Sequence, residues 1–213
     1  MTFNPLILKF GIFLDMLSTH EQIGFQSSLQ GNSRIDAIVA NILESHASSY
    51  IKKDYRKLWG NDEMFYNGPG FEIPTIGLGR IMHREYHYDS DNLANIDMYH
   101  LVESVWYLMR IIEVFETDYI PILQYRGPLY LSRHNLDIAP IADPQIHENI
   151  ERLQIYADGN RSCMDISALI GLDFFGVRNF FDQLIGKDLV IKKERKPSAD
   201  DTGYIDCIAK GTK

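Results

Sequence analysis

The fold is decided by residues 6–16, LILKFGIFLDM, a nearly continuous apolar run that ends in the acid Asp15. A run of this kind is typical of a strand buried on both faces, as in a parallel sheet covered by helices. The sequence therefore predicts a central strand close to the start of the chain. Such a strand leaves an edge of the sheet that another element has to cover.

Alternating helix and strand patterns follow this run. Residues 33–48 predict a helix, and Ser33 with Asp36 resembles a capping box at its start. Residues 71–80, bounded by Gly-Pro-Gly, predict a second strand, and residues 98–116 predict a long helix. The predicted core stripe of the long helix consists of Leu101, Val102, Val105, Trp106, Met109, Ile112 and Phe115. This alternation indicates an α/β arrangement of layers.

The last third of the chain has a different pattern. Residues 137–144 are rich in Pro, Ala and Asp, which suits a linker. Three helical stretches follow at 145–157, 162–170 and 174–187, and two short β-like runs at 189–193 and 204–209. Three helices and a hairpin predict a winged helix-turn-helix. We therefore expect an α/β domain at 1–136, a linker at 137–144 and a winged-helix domain at 145–213.

The composition excludes several classes of protein. Of the 213 residues, 45% are hydrophobic, as in ordinary globular proteins, and the net charge of −8 argues against a general nucleic-acid or anionic-lipid binder. The two cysteines, Cys163 and Cys207, are too few for a disulfide framework. The N-terminal apolar run lacks the features of a signal peptide and is shorter than the ~20 residues that span a bilayer. We expect a soluble cytoplasmic protein without membrane contact.

Three places could carry chemistry. Asp15 follows the buried strand, where ligands gather in open α/β sheets, although a solvated aspartate or a helix cap is also possible there. His87 lies in a polar loop rich in carboxylates, which suits a metal ligand but also a surface loop in which Asp91 or Asn92 caps the following helix. Asp62 and Glu63 lie in a turn that could line a pocket or simply face solvent.

The order of these motifs resembles a known family. A strand ending LDM precedes NDEMFYNGPGFEIPTIGL, and YHYDSDNLANID then opens the long helix. This order resembles the C-terminal half of the co-catalytic zinc aminopeptidases, which include bacterial leucyl aminopeptidases and are related in fold to glutaminyl cyclases. The match is closer to an uncharacterised aminopeptidase-like branch that has a C-terminal winged helix and is often associated with surface-polysaccharide genes. The resemblance implies a partial zinc-aminopeptidase-like sheet covered by helices.

The resemblance also implies roles for individual residues. Asp15 corresponds to a ligand of one zinc ion and His87 to a ligand of the second. The remaining expected pocket or supporting residues are Asp62, Glu63, Tyr86 and Asp91. Two positions depart from the family pattern: Tyr88 replaces the threonine after the histidine, and Glu63 stands where the family has the histidine of Ser-Asp-His.

Most of the family's catalytic groups have no counterpart in this sequence. In the family, a histidine, a bridging aspartate and an adjacent Glu-Glu pair precede the LDM strand, whereas only fourteen residues precede Asp15 here. A hydrolytic zinc site needs about three protein ligands per ion, an open water position and a base. We therefore expect no catalysis by this chain alone, and peptide or aminoacyl substrates only when a complementary N-terminal half completes it.

Two other functions stay open. The chain could be a non-enzymatic interaction module that uses the winged helix, or a transcriptional regulator. The candidate recognition helix at 173–187 is apolar and has Arg178 as its only basic residue before the last position, which favours protein contact over DNA contact. The run 6–16 could also pair with a second copy, so that self-association is expected if the complementary half is absent.

Overall fold

The computed structural model describes residues 8–136 and 144–195. They divide into two compact units, the first ending at Ile111 and the second beginning at Ile112. The elements that begin in the first unit are β1 (Gly11–Asp15), β2 (Ile23–Gln26), α1 (Arg34–His46), β3 (Ile51–Lys53), α2 (Glu63–Asn67), β4 (Thr75–Arg80) and α3 (Met98–Thr117). Those of the second unit are β5 (Tyr119–Leu123), α4 (Pro144–Tyr156), α5 (Cys163–Ile170), α6 (Phe174–Ile185) and β6 (Val190–Glu194).

A four-stranded mixed sheet organises the first unit. Its strand order is β1-β4-β2-β3, with β1 parallel to β4, β2 antiparallel to β4 and β3 parallel to β2. All six residues of β4 are buried, and so are all four of β2. The sheet and its helices confirm the α/β class that the sequence predicts.

The prediction that β1 is a central strand buried on both faces is wrong. β1 pairs only with β4 among the described residues, and its five residues are partly exposed, with Leu14 38% exposed. An apolar run does not distinguish an edge strand from a central one, because the difference is made by strands elsewhere in sequence. The expectation of an uncovered flank on this strand is met within the described ranges.

The predicted helix at residues 33–48 is α1, and its cap is as expected. Asp36 is 3% exposed, and its carboxylate accepts hydrogen bonds from the backbone N–H of Ser33 at 2.9 Å and of Ser28 at 2.8 Å. The hydroxyls of both serines also donate to Asp36. The capping box thus fixes the start of α1 and the end of the loop after β2 together.

The predicted core stripe of α3 is wrong, although the helix itself is confirmed. The buried face carries Ser104, Tyr107, Ile111 and Val114. The large apolar side chains that are exposed on α3 are Met98, Tyr99, Val102, Val105, Trp106, Met109 and Ile112, and we call them the apolar face of α3. Apolar residues surround most of this helix, so its period alone did not indicate which side would be buried.

The second unit contains the three predicted helices, α4, α5 and α6. Phe174, Phe180 and Phe181 of α6 are at most 1% exposed and belong to the core, so they are not part of the protein-contact surface that the sequence predicts for this helix. Among the described residues β6 pairs antiparallel with β5. The second predicted wing strand, 204–209, and residues 137–143 of the predicted linker lie outside the described residues.

Candidate functional site

The carboxyl ends of β1 and β4 define one edge of the sheet. The two strands run parallel, with Asp15 opposite Gly79, so the strand that ends at Asp15 and the strand that ends at Arg80 point the same way. The loop that leaves β4 contains His87 and leads to α3. The premise of the sequence prediction, that Asp15 and His87 both follow ends of strands in one sheet, therefore holds. Their pairing as metal ligands stays a prediction.

Asp15 is held by the turn that the sequence singled out. Asn61 Nδ2 donates to Asp15 Oδ2 at 3.1 Å, and the Asn61 N–H donates to Glu63 Oε2 at 2.9 Å. Asp62, between them, is exposed. The residue of the turn that contacts Asp15 is thus Asn61, which the sequence analysis did not select, and it orients one carboxylate oxygen.

Glu63 is a buried structural anchor of this turn. It is 1% exposed, and its second carboxylate oxygen, Oε1, accepts a hydrogen bond from Gln26 Nε2 at 3.2 Å. Gln26 is fully buried, and its Oε1 accepts from the backbone N–H groups of Leu58 at 2.9 Å and Trp59 at 3.0 Å. Both oxygens of Glu63 are thus engaged within the fold. Gln26 carried no signal in the sequence beyond its place at the end of an apolar strand.

The loop after β4 presents His87 to solvent. His87 is exposed, has a φ of 68°, and packs its ring on Tyr86 with a centroid distance of 4.0 Å. A positive φ is uncommon for a residue other than glycine, and such strain is often found at functional positions. The exposure leaves the imidazole accessible to a ligand.

Asp91 contacts a different histidine from the one expected. Asp91 Oδ1 lies 3.1 Å from His83 Nε2 and accepts from Asn95 Nδ2 at 3.4 Å. The hydrogen bond to His83 is the main reason that the pKa of Asp91 lies below its usual value, and the nearby charge of His87 contributes less. Asn92 Oδ1 caps the turn that follows by accepting from the Ala94 N–H at 2.9 Å. Part of this loop is therefore ordinary capping structure.

A second group of ionisable residues lies at the start of α3. Among the described residues, the structure brings together one group of three possible metal-binding side chains, namely His20, Asp97 and His100. None of these three residues is among the candidate ligands that the sequence predicts. The helix start carries a weak signal, because Asp97 and His100 are three residues apart, but the approach of His20 depends on the fold.

The fold of the chain is similar to that of a solved peptidase-like structure. The crystal structure of a "putative peptidase" from Clostridium acetobutylicum superposes with a TM-score of 0.75 and 20% sequence identity, covering 89% of this chain and 43% of that one. The family described as "Domain of unknown function (DUF4910)" matches residues 6–118, more than half of the sequence. The chain belongs to this family.

A curated relative gives a further comparison. It is a protein of Clostridium acetobutylicum named "Putative polysaccharide biosynthesis protein with aminopeptidase-like domain", which is 23% identical over 180 residues. The match covers 75% of this chain and 38% of the relative. The chain thus spans less than half the length of both proteins. In the part of the chain that the structure describes, no helix is long and apolar enough to cross a membrane.

Proposed function

We propose that the chain is the C-terminal portion of a zinc-dependent aminopeptidase-like hydrolase acting on peptide or aminoacyl substrates in the cytoplasm. The observation that carries the proposal is the shared edge of β1 and β4, from which Asp15 and the loop of His87 both extend. Ligands of α/β sheets bind at the carboxyl ends of strands. The aminopeptidase-like domain in the relative's name and the fold of the solved peptidase-like structure support the same assignment.

The residues of this chain do not by themselves fit a complete two-zinc centre. Asp15 and His87 would supply one ligand to each ion, whereas a hydrolytic site needs about three per ion and a base for the water. Glu63 is a poor candidate for the base, because both of its oxygens accept hydrogen bonds inside the fold. Within this chain, Asn61 would orient Asp15, and the loop after β4 would present His87. The remaining groups would come from an N-terminal half that this sequence does not contain.

The surface of the first unit supports such a complement. β1 has one flank without a partner strand in the described ranges, and the apolar face of α3 includes Val102 at 64% and Met109 at 58% exposure. Contiguous apolar surface and an open strand edge are unfavourable in water and mark interaction sites. Covering one large apolar side chain contributes about 1.5–3 kcal/mol, part of which offsets the entropic cost of association. A second copy of the chain would occupy the same surface when the complement is absent.

We also infer a small winged helix in the second unit. Three consecutive helices, α4 to α6, precede the strand β6. Arg178, the one basic residue in the helical part of α6, already interacts within the unit, with Thr117 at 2.7 Å and with Asp182 and Glu113 as ion pairs. DNA contact needs clustered free cations. Arg178 is therefore engaged within the unit, and a DNA-binding regulator is the less favoured alternative for this chain.

A complementation assay tests the proposed function. The purified chain would be mixed with zinc and a polypeptide carrying the missing histidine, aspartate and Glu-Glu motifs, and hydrolysis of an aminoacyl chromogenic substrate would be followed. The chain alone should show no turnover above background, because loss of a general base alone costs about 10²–10⁴-fold. The mixture should be active. Asp15→Asn and His87→Ala should each abolish this activity, and Asp89→Asn in the same loop is the matched control.

The outcomes separate the alternatives. Zinc-dependent turnover by the isolated chain would contradict the assignment of the missing groups to a second polypeptide. Stable binding of the complement without turnover would favour the alternative of a non-enzymatic interaction module, which the apolar face of α3 also supports. Activity that survives both Asp15→Asn and His87→Ala would remove these residues from the site.

A further inference from the structure

We propose that His20, Asp97 and His100 form a zinc-binding site in the first unit that is separate from the Asp15 and His87 pair. One ligand atom from each of the three side chains lies within 4.8 Å of the other two. His20 Nδ1 lies 3.0 Å from Asp97 Oδ2, and His100 Nδ1 lies 3.6 Å from the same oxygen. The two imidazole rings are arranged edge to face with centroids 5.9 Å apart.

These separations suit a tetrahedral ion. With zinc–nitrogen and zinc–oxygen bonds of about 2.0–2.1 Å, two ligand atoms of a tetrahedron lie roughly 3.3 Å apart. The two distances to Asp97 Oδ2 lie on either side of that value. The two histidine nitrogens would have to approach each other by at most about 1.5 Å from 4.8 Å to reach this spacing. The side chain of His20 is 68% exposed and is free to make that movement.

The carboxylate of Asp97 is already oriented for this role. Its Oδ1 accepts the backbone N–H of His100 at 3.0 Å, so it caps the first turn of α3. This bond turns the other oxygen, Oδ2, toward both imidazoles. A hydrogen bond to a metal-binding carboxylate is a common feature of metal centres, because the bond fixes the orientation of the ligand.

His100 has a nitrogen that the protein leaves without a hydrogen bond. His100 Nδ1 is buried, and the 3.6 Å to Asp97 Oδ2 is too long for a hydrogen bond. A buried polar atom without a partner is costly and calls for an explanation such as an ion. The unpaired nitrogen of His100 is an observation independent of the grouping of the three residues, and it indicates a ligand at the same place.

The loop that carries His20 is fixed on both sides of the histidine. The Asp97 N–H donates to the Ser18 carbonyl at 2.6 Å, and Ser104 Oγ donates to the Leu17 carbonyl at 2.8 Å. On the other side, Arg80 Nη1 donates to the Glu21 carbonyl at 2.9 Å. These bonds join the loop to α3 and β4, so the backbone at His20 is positioned before any ion binds. Preorganisation of this kind lowers the cost of binding.

The ligand set selects the class of ion. Two imidazoles and one carboxylate suit zinc and neighbouring first-row ions, whereas magnesium and calcium prefer all-oxygen sites. Three protein ligands leave a fourth position for water. An ion here would connect the loop after β1 directly to the start of α3.

Calorimetric titration with zinc chloride tests the site in the full-length chain. The protein would carry Asp15→Ala and His87→Ala, so that the other pair cannot bind, and would first be treated with a chelator. We expect one equivalent of zinc to bind in this background. His20→Ala and His100→Ala should each weaken binding by more than the roughly 10–100-fold that loss of a supporting residue costs. His147→Ala, an exposed histidine of α4, is the matched control and should leave the affinity unchanged.

The decisive variant is His20→Ala, because an exposed side chain can be removed without unfolding the unit. Circular dichroism would confirm that each variant is folded, and zinc should raise the unfolding temperature of the background protein but not of His20→Ala. Absence of zinc binding in the background protein would overturn the proposal. Equal affinity in the background and in His20→Ala would overturn it as well. Neither result bears on the complementation assay, which depends on Asp15 and His87.

Discussion

Replacing Arg80 with methionine should destabilise the first unit by about 3 kcal/mol, because Arg80 is a buried charge whose bonds join three segments. Its side chain is 3% exposed. The guanidinium donates to the carbonyls of Leu17, Glu21 and His100, to the Glu103 carboxylate and to the Ser104 hydroxyl. It therefore holds the loop after β1 against the first turns of α3.

The magnitude follows from what the substitution leaves behind. Breaking a buried ion pair by removing one partner costs about 3–5 kcal/mol. Two features place Arg80→Met at the lower end of that range. Glu103 is 28% exposed, so water can solvate its carboxylate, and the single proton of the Ser104 hydroxyl can still be donated to the carbonyl of either Leu17 or His100, each 2.8 Å away. The Glu21 carbonyl loses the donor that Arg80 provides.

Urea unfolding followed by tryptophan fluorescence measures this effect in the right unit, because both tryptophans, Trp59 and Trp106, lie in it. With a slope of about 2 kcal/mol/M, the midpoint should fall by about 1.5 M. Glu103→Gln keeps an acceptor for Arg80 and should cost about 1 kcal/mol. The double variant should cost less than the sum of the two. A loss below about 1 kcal/mol for Arg80→Met would refute the assignment of Arg80 as the link between these segments.

Three further predictions concern stability, pH and association. Phe181→Ala should lower the stability of the second unit by about 3–5 kcal/mol, and Phe175→Ala should lower it much less. Limited proteolysis at sites in the second unit measures the difference, and equal effects would contradict the core role of α6. Burial, the largest cause in each case, raises the pKa of three tyrosines to about 12, namely Tyr50, Tyr107 and Tyr125. The contribution of these tyrosines to the free energy of unfolding should be present below pH 10 and lost as the pH rises toward 12. A free energy of unfolding that does not change across that range would contradict this expectation. Val102→Lys should suppress self-association in analytical ultracentrifugation and Leu169→Lys, an exposed control, should not.

The sequence predicts the helices well because their signals are local. The capping box of Ser33 and Asp36 and the apolar periodicity of residues 33–48 lie within one segment, and α1 forms there as expected. The position of β1 in the sheet and the buried face of α3 depend on which other elements pack against them. That information is spread over the whole chain, and a run of apolar letters is compatible with either outcome.

For the candidate site, the sequence predicts the segments involved but not the residues that make the contacts. The motif order led to the turn beside Asp15, but it pointed to Asp62 and Glu63, whereas the contact is made by Asn61. The sequence does not indicate a role for Asn61, because its hydrogen-bond partner Asp15 is distant in sequence and comes close only in the folded chain. The cluster at His20 was out of reach for the same reason, because the loop after β1 meets α3 only in the folded protein.

The central claim is that Asp15 and His87 each hold one zinc ion in the completed enzyme. The most direct measurement is anomalous scattering at the zinc edge from crystals of the chain bound to its complement. We expect two zinc peaks about 3.5–4 Å apart, one bonded to the Asp15 carboxylate and the other to the His87 imidazole at about 2.0–2.2 Å. Zinc pairs at another place in the complex, with Asp15 and His87 free of metal, would contradict it.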